Sequence, residues 1–149
     1  AQRSPDSQTK CGCVVVNKNH QILGQGYNGF PRGVDDTALP NTRPDKYDWM
    51  IHAEVNAILN SNCDIRDCEA YITTQPCFQC TLFMWQSGIR QITYATNGKT
   101  PTMLVNNLRY ESLITRFKEL TDMVIRSVDV DANFLGNVVE TLAGGRYNI

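Results

Sequence analysis

Short runs of small and β-branched residues alternate with helix-period patterns along most of this chain, and that alternation restricts its fold more than any single motif. Residues 11–16 (CGCVVV) predict a buried strand. A polar turn at 17–20 separates it from a second run at 21–26, which together predict a hairpin. Residues 49–60 predict a helix, with Ile51, Val55, Ile58 and Leu59 on one stripe. A short strand follows at 70–74, then a helix from Pro76 to Gln86 with Ser87-Gly88 closing it. A strand at 91–95, an amphipathic helix at 104–120, a strand at 123–128 and a helix at 133–142 complete the series. The order β-β-α-β-α-β-α-β-α calls for crossover helices on a mixed sheet, hence an α/β fold.

The 149 residues suffice for one core, and no repeat or linker divides them, so a single domain over 1–149 is expected. With 14 basic against 15 acidic residues, the chain lacks the basic excess of a surface that wraps nucleic acid. One or two arginines still suffice for a phosphate pocket. No apolar run approaches the ~20 residues of a membrane helix, and no charged-then-apolar secretory leader is visible within the chain. The six cysteines are Cys11, Cys13, Cys63, Cys68, Cys77 and Cys80. A chain of this length does not need disulfide staples, so reduced cysteines and a cytoplasmic location are expected. Residues 27–47 are rich in Gly, Pro, Asn and Asp, and a loop this long in a compact domain is usually functional.

Three potential metal ligands stand out: His52, Cys77 and Cys80. Cys77-x-x-Cys80 alone would serve redox chemistry or structural zinc as well as a catalytic site, and Glu54 alone would pass for a solvated helix carboxylate. Taken jointly, His52-Ala53-Glu54 and Pro76-Cys77-Phe78-Gln79-Cys80 resemble the H-x-E…P-C-x-x-C signature of zinc deaminases. The physical chemistry agrees with that resemblance. Two cysteines at i, i+3 share a helix face, and a helix N-terminus favours thiolate. Three protein ligands leave a fourth tetrahedral position for water, as in catalytic zinc sites. Two thiolates and a neutral imidazole balance a divalent ion. His52 and Glu54 lie about 200° apart around a helix, so both reach one point only off the helix's N-terminal end. The metal is therefore expected between the starts of two helices. Glu54 is placed to take a proton from water and deliver it to ring N3 while the oxygen adds at C4.

The loop Gly26-Tyr27-Asn28-Gly29-Phe30-Pro31-Arg32-Gly33, with Asp35-Asp36 after it, narrows the resemblance. Together with residues 52–58 (HAEVNAI) and 86–89 (QSGI), it is similar to the deoxycytidylate (dCMP) deaminases of the cytidine deaminase superfamily. The similarity extends from Ala1 to about Ala95; beyond that only the order of elements agrees. The resemblance implies a three-layer α/β/α fold with a five-stranded mixed sheet whose last two strands run parallel. It implies zinc-dependent hydrolysis of dCMP to dUMP and ammonia, with Glu54 catalytic and His52, Cys77 and Cys80 on the ion. It also implies a homo-oligomer, commonly a hexamer. Activation by dCTP and inhibition by dTTP, both with Mg²⁺, would act through the loop of Tyr27, Gly29 and Arg32.

For the substrate, the resemblance implies contacts from Asn28, Arg3, Ala53 and Tyr94. Asn28 would meet sugar and base through its amide, or else only support a left-handed turn beside Gly29. Arg3 aligns with a basic residue expected to reach the 5′-phosphate, and Arg32 is a second phosphate or effector candidate. Tyr94 would line the pocket or pack within its strand. Cys11 and Cys13 with Cys63 or Cys68 would make a second metal clamp, but small buried cysteines are the preferred reading. Trp49, Trp85 and Met84 are expected in the core or a subunit interface. Relatives usually carry another helix ahead of the position of Ala1, and residues 96–102 lack the acidic and tyrosine residues associated with the family there. Two rival functions share the zinc motif: deamination of a tRNA or polynucleotide base, and a non-catalytic zinc-binding oligomer. The near-neutral charge and the Tyr27-Asn28-Gly29 loop oppose the first, and Glu54 opposes the second.

Overall fold

The computed structural model describes residues 1–96 and 104–130. Strands β1 (Gly12–Val16) and β2 (Ile22–Tyr27) form the expected hairpin, and a loop with two single 3₁₀ turns, Asp36–Ala38 and Asp45–Asp48, leads to α1 (Ala53–Leu59). Then come β3 (Glu69–Ile72), α2 (Phe78–Gln86), β4 (Gln91–Thr96), α3 (Leu104–Leu120) and β5 (Val124–Asp129). The five strands form one sheet in the order β2-β1-β3-β4-β5. β1 runs antiparallel to β2 and β3, whereas β3, β4 and β5 run parallel, so the sheet is mixed as expected. The helix expected at 133–142 lies outside the described residues. No helix among the described residues is long and apolar enough to cross a membrane.

Alternation along the strands explains which face carries the core. Cys13, Val15, Ala70, Ile72 and Ile92 point to one side, where they meet Ala53 and Ala57 of α1 and Met84 of α2. Met84, Ile89 and Ile92 are wholly shielded, each contributing roughly 1.5–3 kcal/mol through burial. Phe117 of α3 packs edge-on against Phe78 and Trp85 at 6.1 and 5.8 Å between ring centroids, which puts α3 on the same side. Val14, Tyr71, Thr93 and Val128 face the other way and line an open cavity of about 700 Å³. Among the described residues no helix lines that cavity.

Two glycines of β2 let α1 lie directly on the sheet. A Cβ on Gly26 would sit 2.5 Å from the Ala53 carbonyl oxygen, and one on Gly24 2.5 Å from that of Ala57. Both contacts are with backbone, which cannot swing aside, so α1 and its first residues are held against β2 by the lack of side chains there.

The expected helix at 49–60 is shorter than its pattern suggested. Ile51 exchanges both backbone hydrogen bonds with Gly29, at 2.8 and 3.0 Å, which holds it in an extended bridge. The helix therefore begins at Ala53, with His52 as an extended N-cap. The strand expected at 70–74 ends at Ile72 because Thr73 turns its hydroxyl to the Gly12 N–H at 2.9 Å. Trp85 packs in the core beside Phe117, but Trp49 is exposed on the loop.

The loop is anchored by a buried ion pair. Lys46 Nζ donates to both carboxylate oxygens of Asp6, at 2.8 and 2.7 Å, and both side chains are almost fully shielded. Asp6 Oδ1 also accepts the Gln8 and Thr9 N–H groups. Burial alone would raise the Asp6 pKa, but the Lys46 ammonium and the two N–H groups outweigh it and hold it below the usual range. Its stabilising effect is thus complete above the unfolded value of about 3.9 and is lost as pH falls through the lower folded value. Asp6→Asn strands a buried ammonium and is expected to cost about 3 kcal/mol at neutral pH. Urea unfolding of both proteins across pH checks this. The gap should narrow as pH falls below the unfolded value of about 3.9, and a gap unchanged with pH would assign the loss to something other than the carboxylate charge.

Candidate metal centre and substrate pocket

The starts of α1 and α2 meet at one point, as the spacing of His52 and Glu54 requires. His52 is the N-cap of α1, and its ring makes no capping bond. Cys77 is the N-cap of α2, where its sulfur accepts the Cys80 N–H at 3.4 Å. His52 Nδ1 lies 3.6 Å from Cys77 Sγ and 3.4 Å from Cys80 Sγ. A tetrahedral ion with Zn–N of about 2.1 Å and Zn–S of about 2.3 Å would separate nitrogen from sulfur by about 3.6 Å. The three ligand atoms lie within 4.8 Å of one another, so the cluster fits a zinc ion.

Charge at the cluster is arranged for a cation. The Cys77 thiol is lowered to about 4, first by the hydrogen bond from the Cys80 thiol and then by His52 and the Cys80 N–H. Cys80 moves up, because Cys77 takes the first negative charge and burial resists a second. A divalent ion removes that conflict by neutralising both. His52 is raised, chiefly by its contact with Cys77. Glu54, the second residue of α1, is 5% exposed, and burial pushes its carboxyl above the usual range. A carboxyl that binds protons more readily than usual, facing this cluster, suits proton transfer.

Glu54, His52 and Cys77 open onto a cleft of about 180 Å³ whose walls include Asn28, Ala53 and Thr74. Asn28 is buried and does not adopt the left-handed conformation, so turn support is not its role. Its Oδ1 accepts the Cys11 N–H at 2.8 Å, and its Nδ2 donates to the Thr9 carbonyl at 2.8 Å and to Asp6 at 3.3 Å. The amide therefore ties the N-terminal segment to the cleft wall, and only Oδ1 retains a free lone pair.

The other expected contacts lie elsewhere. Arg3 and Tyr27 border the large cavity at the open sheet face, whereas Tyr94, in register with Ile72, packs against the core and is not part of the cleft wall. Arg32 reaches Asn60 Oδ1 at 2.8 Å, away from the cleft. Gly29 touches the site only through its backbone bridge to Ile51, next to His52. Cys11 contacts the Thr74 hydroxyl, Cys13 and Cys68 pack in the core, and Cys63 is exposed, so no second three-ligand group assembles among the described residues. Arg43, Lys46 and Tyr47, which no motif singled out, line the cleft. In sequence they are polar loop residues; pairing with Asp6 buries Lys46, while Arg43 and Tyr47 remain exposed at the cleft edge.

Residues 1–96 match the family model described as the cytidine and deoxycytidylate deaminase zinc-binding region. The chain is 38% identical over 104 residues to the human deoxycytidylate deaminase, covering 65% of this chain and 58% of that one. A Caenorhabditis elegans relative named as a probable deoxycytidylate deaminase is 40% identical over 100 residues, covering 64% and 51% of the two chains. The chain thus spans little more than half the length of these animal relatives. Among solved structures, the dCMP deaminase of cyanophage S-TIM5 in complex with dCMP and dUMP superposes with a TM-score of 0.58 at 25% identity, over 85% of each chain.

Proposed function

Because this chain belongs to the cytidine and deoxycytidylate deaminase family, we propose that it deaminates dCMP to dUMP and ammonia with one catalytic zinc ion. The observation that carries this proposal is the buried Glu54 carboxyl facing the His52, Cys77 and Cys80 cluster at one cleft. A divalent zinc in that cluster supplies Lewis acidity, which makes water nucleophilic at neutral pH. Glu54 takes a proton from the water and places it on ring N3 as the water oxygen adds at C4. Glu54 then carries the remaining proton of the new C4 hydroxyl to the amino nitrogen, leaving the C4 carbonyl. The C4–N bond then breaks and ammonia leaves. The shielding of Glu54 keeps bulk water from competing for the proton.

A free nucleotide suits the cleft better than a polynucleotide, since the net charge is -1 and no basic excess is present to hold a strand. The S-TIM5 relative's complex with dCMP and dUMP supports the same substrate class. Homo-oligomerisation and control by dCTP and dTTP with Mg²⁺ at the Tyr27, Gly29 and Arg32 loop belong to this proposal as family traits, and a cytoplasmic location belongs to it from the reduced cysteines. Incubation with dCMP, CMP, deoxycytidine, dCTP and single-stranded DNA, followed by ammonia release, tests it. Turnover should be greatest with dCMP. Conversion within the DNA strand without dCMP turnover, or no conversion of any cytosine compound, would overturn it.

A further inference from the structure

We infer that Arg43, rather than Arg3, receives the 5′-phosphate of the nucleotide, an assignment that rests on the deaminase reading of the cleft. Two cations line the wall of that cleft, Arg43 and Lys46. Lys46 is committed, because its buried ammonium is bonded to both oxygens of Asp6 and the pair carries no net charge. Arg43 has no carboxylate partner among the described residues. Its side chain is nonetheless positioned: Nη2 donates to Thr9 Oγ1 at 2.9 Å, and its backbone N–H donates to Gln8 Oε1 at 3.1 Å. Thr9 is itself fixed, with its N–H on Asp6 and its carbonyl on Asn28. The guanidinium is therefore held at the cleft by the network that also holds Asn28, with its remaining N–H groups facing no acid. A planar fork of donors in fixed position is the chemistry that binds a phosphate in bidentate fashion.

Arg3 is placed differently. It borders the cavity on the open face of the sheet, and the two cavities share no lining residue. A base seated at Glu54 lies in the smaller cleft, which Arg43 lines and Arg3 does not.

Equilibrium binding of dUMP and deoxyuridine to the zinc-loaded protein tests the assignment independently of turnover. Arg43→Gln should weaken dUMP binding by about 10²-fold, as expected for loss of a charge-assisted bidentate contact, and leave deoxyuridine binding within about twofold. Arg43→Lys should recover part of the loss, since it restores the charge without the fork. Equal weakening of both ligands, an unchanged dUMP affinity, or a dUMP-specific loss in Arg3→Gln instead would overturn it. Failure of the wild-type protein to deaminate any cytosine compound would count against the proposed function, whereas these binding ratios report on Arg43 alone.

Discussion

Glu54→Gln is expected to retain stoichiometric zinc and lose about 10²–10⁴-fold in kcat for dCMP, the range general acid–base catalysis supplies. The two side chains match in size, so a position that is 5% exposed is not opened or overfilled. His52, Cys77 and Cys80 form the three-ligand cluster without Glu54, so the affinity for the ion does not depend on it. What the amide lacks is a site for the proton that must travel from water to the ring and then to the departing nitrogen. Metal analysis, steady-state kinetics and thermal melting of both proteins check the three parts separately. Turnover close to wild type would remove Glu54 from the chemistry. Loss of zinc would instead make it part of the metal site.

Cys80→Ser should abolish both zinc retention and activity. Cys80 is 2% exposed and lies within the first turn of α2, where its sulfur is 3.4 Å from the His52 ring nitrogen. A serine hydroxyl does not ionise near neutral pH, so the ion would lose one anionic ligand and the charge balance of the cluster. Loss of partners beyond the ligands typically costs about 10–100-fold in metal affinity, and removal of a ligand should exceed that. Added zinc should raise the melting temperature of the wild-type protein after chelation, because a ligand bound only by the folded state stabilises it. The same addition should leave Cys80→Ser unmoved, and Cys63→Ser, altered at an exposed position outside the cluster, should respond as wild type does. A normal zinc content in Cys80→Ser would require another ligand at the site.

The local signals of the fold were legible because they depend on neighbours a few residues apart. Strand runs at 11–16 and 91–95, the Pro-start and Gly-end of α2, and the limits of α3 all appear within one or two residues of their expected positions. The start of α1 was misplaced for the converse reason. Residues 49–52 have helix-compatible side chains, yet Ile51 is drawn into an extended bridge by Gly29, a partner 22 residues away that no local pattern reveals. Lys46 is a similar case. A lysine between two aspartates in a polar loop reads as solvated, and only Asp6, far off in sequence, buries it.

By itself, then, the sequence determined the alternating α/β order and brought His52, Glu54, Cys77 and Cys80 to two helix starts, since caps and i, i+3 spacing are local geometry. It could not assign the arginines. Whether Arg3 or Arg43 shares a cavity with Glu54 depends on which face of the sheet each segment crosses, and that was decided by the Asp6–Lys46 pair, the Asn28 amide and the Gly29–Ile51 bridge. Contacts between residues 19 to 40 apart have no period to read, so only the folded chain records them.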